Sequence, residues 1–384
     1  MMSHSSEVAW RSRSRAWREP CQRRRLGKAL ALAWCVCALS APVSGAEPGV
    51  QPRFKAFLVS EAQAGADRLH QLKREGYTAA VLALSDANAG RDLEAAARLQ
   101  GLGFTLYYWI EIGRCPALAD AHPEWMASLQ GHPEWRRFFR KLPAAGEGEV
   151  VKNYPWVPVL YAESSAAHRE RVKMLLAGKP APRGIFLNDL QGAPSACGCG
   201  HHLCRWTSDY GPIKTATRLP NDAAARFVAA VKALAPGAEV VPVWTSECEA
   251  HDKEELCAGV GCYEGTCWKE FAAQLAPVAK ECDRVAALLP YKAFQRDLPR
   301  YGPTAGWVLH AVRSFAETPQ KIRLLPPERL LAVLQGWDTT AEEIQAQAAR
   351  SLEAGTSGCI VSFMPIEQGW EPRLRRVEPR ASGR

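Results

Sequence analysis

The chain has 384 residues, of which 47% are apolar, 23% charged and 9% aromatic; this is enough apolar material for one large core and excludes a disordered or fibrous chain. Its formal charge is +8, but the first 46 residues hold eight Lys/Arg against two Asp/Glu, so only about +2 is left on the rest. No basic stripe runs through that remainder, which removes the electrostatic basis for nucleic-acid binding.

The N-terminus begins with Arg11, Arg13, Arg15, Arg18, Arg23, Arg24, Arg25 and Lys28, continues as an apolar run over 29–39, and reaches the small residues Ser44, Gly45 and Ala46. Basic region, short apolar core and small-x-small site together predict a secretory signal over 1–46, cleaved after Ala46, with export to the periplasm or the medium. The run is shorter than the ~20 residues a membrane-spanning helix needs. A retained N-terminal anchor is the alternative, and Arg24-Arg25 is a weak twin-arginine match. Residues 47–384 are expected to form one domain, with no second segment able to span a membrane.

From residue 54, apolar runs alternate with helical patterns. Residues 54–60 (FKAFLVS) predict a strand and 61–75 an amphipathic helix with Ala62, Ala66, Leu69 and Leu72 on one face, stopped by Gly76. Strands follow at 77–85, 104–112, 184–190, 239–245, 285–291, 330–335 and 358–364, and helices at 92–102, 165–176, 222–234, 268–282, 307–315 and 341–354, the last capped by Thr340. Eight strands separated by helices predict an α/β fold, a (β/α)8 TIM barrel with long Cys-rich loops on its C-terminal face. A dinucleotide-binding doubly wound sheet would need a glycine-rich turn after the first strand, where residues 60–65 read SEAQAG. Two connections, 113–164 and 247–266, are too long for simple turns and read as lids or binding walls.

In such barrels the ends of the strands and the loops after them make the active site. Acids stand at or just past five strand ends: Glu111, Asp189, Glu247, Asp338 and Glu367. A ring of carboxyls around one mouth suits glycoside hydrolysis, which uses one protonated and one ionised acid across the scissile bond; the bland reading of each is an acid that holds a neighbouring Arg or Lys. Asn188 adds an amide beside Asp189. Tyr107, Trp109, Trp244, Tyr291, Trp337 and Trp370 accompany the acids, and flat rings with a polar edge suit sugar faces, although rings on strands are as often core.

Cys115, then Cys197, Cys199 and Cys204, then Cys248, Cys257, Cys262 and Cys267 fall on three successive loops. In an exported chain these predict disulfides bracing the rim, of unreadable pairing. A structural zinc is the rival, given His201, His202 and His251 nearby; no other cofactor is expected. Cys282 and Cys359 lie outside the loops and are expected free and buried.

The segment HRERV at 168–172, the strand GIFLNDL at 184–190, the Cys-rich loop after it, and the paired HPEW at 122–125 and 132–135 resemble elements of the TIM-barrel glycoside hydrolases and glycosidase-like proteins that include the trimeric β-galactosidases. Asn188-Asp189 stands where those β-galactosidases carry Asn-Glu. The resemblance implies a carbohydrate substrate. Asp189 is then read as nucleophile or electrostatic stabiliser, Glu247 or Asp338 as general acid, and Trp109, Trp244 and Trp337 as sugar platforms. A barrel that binds glycan without cutting it, and a metal-dependent hydrolase built on the loop histidines, are the two rivals. The sugar, the linkage and the oligomeric state are not encoded in any pattern found.

Overall fold

The computed structural model describes residues 54–126, 149–190, 218–245, 278–294, 305–316, 325–366 and 371–376. All belong to the unit Gly49–Arg384, which is distinct from Met1–Pro48. Ten strands are formed: β1 (Phe54–Val59), β2 (Ala79–Ala83), β3 (Thr105–Glu111), β4 (Glu149–Tyr154), β5 (Gly184–Asn188), β6 (Glu239–Thr245), β7 (Val285–Leu289), β8 (Leu330–Gln335), β9 (Gly358–Ser362) and β10 (Glu371–Arg376). Among the described residues seven α-helices accompany them: α1 (Ala66–Arg74), α2 (Ala89–Gly101), α3 (Pro116–Ala121), α4 (Ala162–Leu176), α5 (Arg218–Leu234), α6 (Gly306–Ala316) and α7 (Ala341–Glu353).

Eight strands close a parallel barrel in the order β1-β2-β3-β5-β6-β7-β8-β9, with β1 pairing back onto β9. The (β/α)8 barrel expected from the alternation of runs is therefore the fold. Successive strand residues point to opposite faces, and the sequence fills both. On β5, Ile185 and Leu187 pack outward against the helices while Phe186 packs into the lumen with Trp109, Val241 and Leu288. Helices seal the outer layer with Leu69 and Leu72 of α1, Leu99 of α2, Val172 of α4 and Phe227 of α5. This two-sided burial is why the strands read as continuous apolar runs.

The floor of the barrel holds a neutralised charge cluster. Arg284 donates to Glu239 (Nε to Oε2 2.8 Å) and to the Tyr107 hydroxyl (3.3 Å), its guanidinium lies 4.6 Å from the Phe54 ring centroid, and Arg183 pairs with Glu239 at 3.3 Å. Tyr107 is thus at the end opposite the strand-end acids, which corrects its expected place beside them. A Cβ on Gly184 would lie 2.9 Å from that tyrosine ring.

The helix expected over 61–75 is divided into a 3-10 turn, Glu61–Gln63, and α1, with Gly65 as N-cap. Thr340 caps α7 as expected, accepting from the Glu343 amide while Glu343 answers to the Thr340 amide, a complete capping box. Helix 268–282 falls largely outside the described residues. The connection 113–164, expected as loop, contains α3 and β4, and β4 pairs antiparallel with β10. Their residues are far apart in sequence, so no local turn signal announces the pair. Arg373 stacks over Tyr154, and Arg373 and Arg375 reach Asp120 of α3 at 3.7 and 3.2 Å. No described helix is long and apolar enough to cross a membrane.

Two expectations about stability follow from this packing. A Cβ on Gly358 would sit 2.2 Å from the Phe54 carbonyl oxygen, so Gly358→Ala should cost about 1–3 kcal/mol in a denaturant titration; an unchanged midpoint would contradict the β1–β9 closure. His168 is buried in α4 with its Nε2 on the Val157 carbonyl at 2.9 Å, and burial, aided by Arg171, pushes its pKa from 6.5 to about 4. The folded state then binds fewer protons than the unfolded one between those values, so stability is full above pH 6.5 and falls as pH drops toward 4. In His168→Gln that slope should flatten.

Candidate active site

The C-terminal ends of β3 and β5 bring the candidates together. The strands run in register with Glu111 opposite Asn188, and both side chains lie on the lumen side, two residues beyond Trp109 and Phe186 respectively. Trp109 stacks on Phe186 (centroids 6.1 Å, 23° between planes) and donates its indole N–H to Glu111 Oε1 at 2.6 Å. The fully buried Asn188 donates through Nδ2 to Glu111 Oε2 at 2.8 Å and to Asp189 Oδ2 at 3.3 Å. Its Oδ1 has no hydrogen-bond partner.

The exit from β3 passes unusually close to the end of β5. Ile112 N–H donates to the Asn188 carbonyl at 3.0 Å, and a Cβ on Gly113 would lie 2.4 Å from the Asp189 carbonyl. Only glycine permits that approach. The chain returning from β4 is pinned there as well: Val157 N–H donates to the Gly113 carbonyl at 2.8 Å and Arg114 bridges to Trp156. Asp189 itself takes a left-handed conformation, φ 53°, which Asp tolerates better than most residues.

Asp189 and Glu111 share the Asn188 amide as a donor. Burial, and then the neighbouring Glu111 charge, push the Asp189 carboxyl well above its ordinary range, against the opposing pull of Arg114. Burial also raises Glu111, but the Trp109 and Asn188 donors and the charges of Arg114 and Arg171 oppose it. Two like charges in contact cannot both be ionised cheaply in a dehydrated site. Of the two, Asp189 is the one driven further toward its protonated form.

The other expected residues are placed as follows. Asp338 also has a left-handed backbone (φ 54°), but it is exposed, and Lys292 donates to its main-chain oxygen at 2.5 Å. No described contact joins it to the Glu111–Asp189 pair. Trp337 is half-buried against the lumen cluster. Trp244 and Tyr291 belong to the outer layer between strands and helices, 4% and 6% exposed. This corrects the reading of Trp244 as a sugar platform and of Tyr291 as a ring beside the acids: Val241 and Val243 face the lumen, so Trp244, one residue on, faces the helices. Cys115 is a free, buried thiol raised by that burial, which corrects its inclusion among rim disulfides. Cys282 and Cys359 are free and buried as expected, their thiols pushed up to about 11. Glu247, Glu367, Trp370, the histidines at 201, 202 and 251, and Cys197, Cys199, Cys204, Cys248, Cys257, Cys262 and Cys267 lie outside the described residues. Among the described residues no three His, Cys, Asp or Glu side chains form a group that could hold a metal ion.

Sequence reasoning missed Arg171 and Asp86. Arg171 donates from Nε to both Asp86 oxygens at 2.8 Å and from Nη1 to the Glu111 carbonyl at 2.5 Å. A signal was present. On α4 the buried positions are Ser164, His168, Arg171, Val172 and Leu175, the spacing of one helix face, so a cation on the core side was legible as one that needed a partner.

No family model matches the chain, and no curated protein does. Among solved structures, the β-galactosidase of the psychrophilic Marinomonas ef1 is 12% identical, over 82% of this chain and 55% of its own, with a TM-score of 0.47. The α-L-fucosidase isoenzyme 2 of Paenibacillus thiaminolyticus is 14% identical, over 81% and 46%, with a TM-score of 0.46. A chitinase of Chromobacterium violaceum ATCC 12472 is 8% identical, over 80% and 93%, with a TM-score of 0.43. The chain spans about half the length of the first two. These likenesses are too distant to carry an argument, and the barrel stands on its own strand pairing.

The raised Asp189 pKa sets a pH dependence. Its protonated form is the one the fold favours, so its contribution is fully present below the ordinary carboxyl pKa of 3.8 and is lost as pH rises through the raised folded value. Asn accepts the left-handed backbone and can still donate to Glu111. The melting temperature of Asp189→Asn should therefore exceed the parent's in alkaline buffer, with the gap closing toward pH 4; a variant less stable than its parent at every pH would rule out a buried, protonated Asp189.

Proposed function

We propose that the chain is an exported carbohydrate-active barrel of the glycoside hydrolase type, in which Asp189 is the proton donor. The observation that carries this reading is the pair of buried carboxyls at the C-terminal mouth, Glu111 and Asp189, bridged by the Asn188 amide. A glycosidic oxygen needs a proton as the bond breaks, and a carboxyl that remains protonated near neutrality can supply it. Glu111, held by the Trp109 and Asn188 donors, keeps the negative charge that stabilises the proton on its neighbour. Glu247, two residues past β6 in the sequence, and Asp338 are the acids left to act as nucleophile or base. Trp337, two residues past β8 and half-buried, is the ring left to meet a sugar face; Trp109, read as a second platform, is buried in the lumen against Phe186. Export rests on the signal-like first 46 residues, and the seven cysteines of the loops after β5 and β6 would form up to three disulfides after export, leaving one thiol unpaired.

A second reading is favoured by one observation. Hydrolysis uses carboxyls that face one another across a cleft, roughly 5 to 9.5 Å apart, whereas Glu111 and Asp189 are bridged by a single Asn188 amide. If no second acid faces them across the cleft, the barrel holds glycan without cutting it.

The test is turnover of a panel of aryl glycosides and plant or algal polysaccharides by the mature chain, with Asp189→Asn alongside. Hydrolysis by the parent, reduced at least about 100-fold in the variant, is the expected result. Full activity in the variant would sink the donor assignment. No turnover by either, with polysaccharide retained in a pull-down, would select the binding barrel.

A further inference from the structure

We propose that Arg171 is the positioning residue of the carboxyl pair: by tying the main chain of Glu111 to Asp86, it holds the Glu111 carboxyl in contact with Asp189 and Asn188. The proposal rests on the reading of Asp189 as a proton donor and adds the device that maintains it.

Three separate parts of the fold meet at this side chain. Arg171 comes from the buried face of α4 and is 8% exposed. Its Nε reaches both oxygens of Asp86, in the turn after β2, at 2.8 Å, and its Nη1 reaches the Glu111 carbonyl at the end of β3 at 2.5 Å. A guanidinium is a rigid planar fork, so engaging two partners at once sets the separation and orientation of both. The hydrogen bond at the Glu111 end goes to the main chain, which leaves both carboxylate oxygens to Trp109 and Asn188. Arg171 therefore acts on where the carboxyl stands and has no direct part in moving its proton. Because the guanidinium is buried and its carboxylate partner is half exposed, the tether has one end fixed in the core and the other at the rim.

The charged and titratable groups around the pair allow position to be told from charge. Glu111 is faced by Arg114 and Arg171 besides its two neutral donors; Asp189 is faced by Glu111 and Arg114. Cys115 and His168 also feel Arg171, and Asp86 offsets it. Loss of the Arg171 charge alone would favour protonation of Glu111 and leave Asp189 little changed. Loss of the tether separates the two carboxyls and relieves Asp189 of its charged neighbour, so Asp189 gives up its proton more readily.

The experiment is infrared spectroscopy across a pH series, with the protonated-carboxyl band assigned by its loss in Asp189→Asn. In Arg171→Gln the band should disappear at lower pH than in the parent, by about one pH unit, or roughly tenfold in proton affinity. Asp86→Ala, which removes the exposed anchor, should move it in the same direction by less. A band that titrates as in the parent, or at higher pH, in both variants would overturn the proposal even if their melting temperatures fell. Should Arg171→Gln not fold, Asp86→Ala decides alone, since its position at the rim tolerates truncation. The measurement needs no turnover, so a chain that never hydrolyses a glycoside still answers it. A parent without the Asp189 band overturns both this proposal and the donor reading; a parent with the band and unmoved variants overturns this one only.

Discussion

Glu111 and Asn188 are opposite one another because β3 and β5 are hydrogen-bonded as parallel neighbours in a sheet that closes on itself. Closure leaves each strand residue two directions, toward the helices or toward the lumen, and the register of one pair of strands sets that of the next. From Tyr107 through Trp109 to Glu111, and from Gly184 through Phe186 to Asn188, the same face of each strand is carried up to the mouth. An acid, an amide and an indole arrive there together, and Asp189 follows where the strand stops. Their proximity is a property of the sheet. Slip of either strand by one residue would turn the whole set toward the helices.

The two ends of the lumen deal with enclosed charge in opposite ways. At the floor, Glu239 lies between Arg284 and Arg183, with the Tyr107 hydroxyl as a further partner of Arg284, so that opposite signs are in contact. At the mouth, two carboxyls are in contact and the cations Arg114 and Arg171 only partly offset them. A like-charged pair in a poorly hydrated place is relieved most readily by keeping a proton. The floor thus reads as a closure of the barrel, and the mouth as a place where Asp189 is driven toward its protonated form. Perturbed acids of this kind concentrate where chemistry is done, although structural networks produce them as well. Here the position at the strand ends of a (β/α)8 barrel adds weight to the chemical reading.

Much of this was legible in residue order. Continuous apolar runs such as GIFL and AAVLA bounded by helical patterns announced strands buried on both faces, because a parallel strand covered by helices outside and packed side chains inside has no solvent face. The acids at strand ends were legible as a ring for the same reason. The ranking within the ring was not. Glu111 looked the weaker candidate and Asp338 a stronger one, yet Glu111 is enclosed by donors and a second acid while Asp338 stands exposed in its turn. Trp244 and Tyr291 looked like rings at the mouth; strand alternation turns Trp244 to the outer layer, and Tyr291, in the 3-10 turn after β7, is buried there too.

The sequence by itself determined the order of the eight barrel strands, the cap of α7 and the candidate acids, because these depend on patterns a few residues long. The tertiary structure decided which acid touches which, that Arg171 reaches Asp86 and Glu111 at once, and that β4 finds β10. Each of those joins residues distant in the chain, and their contact is set by barrel register and by the burial of charge. Neither leaves a mark in local composition until the sheet has closed.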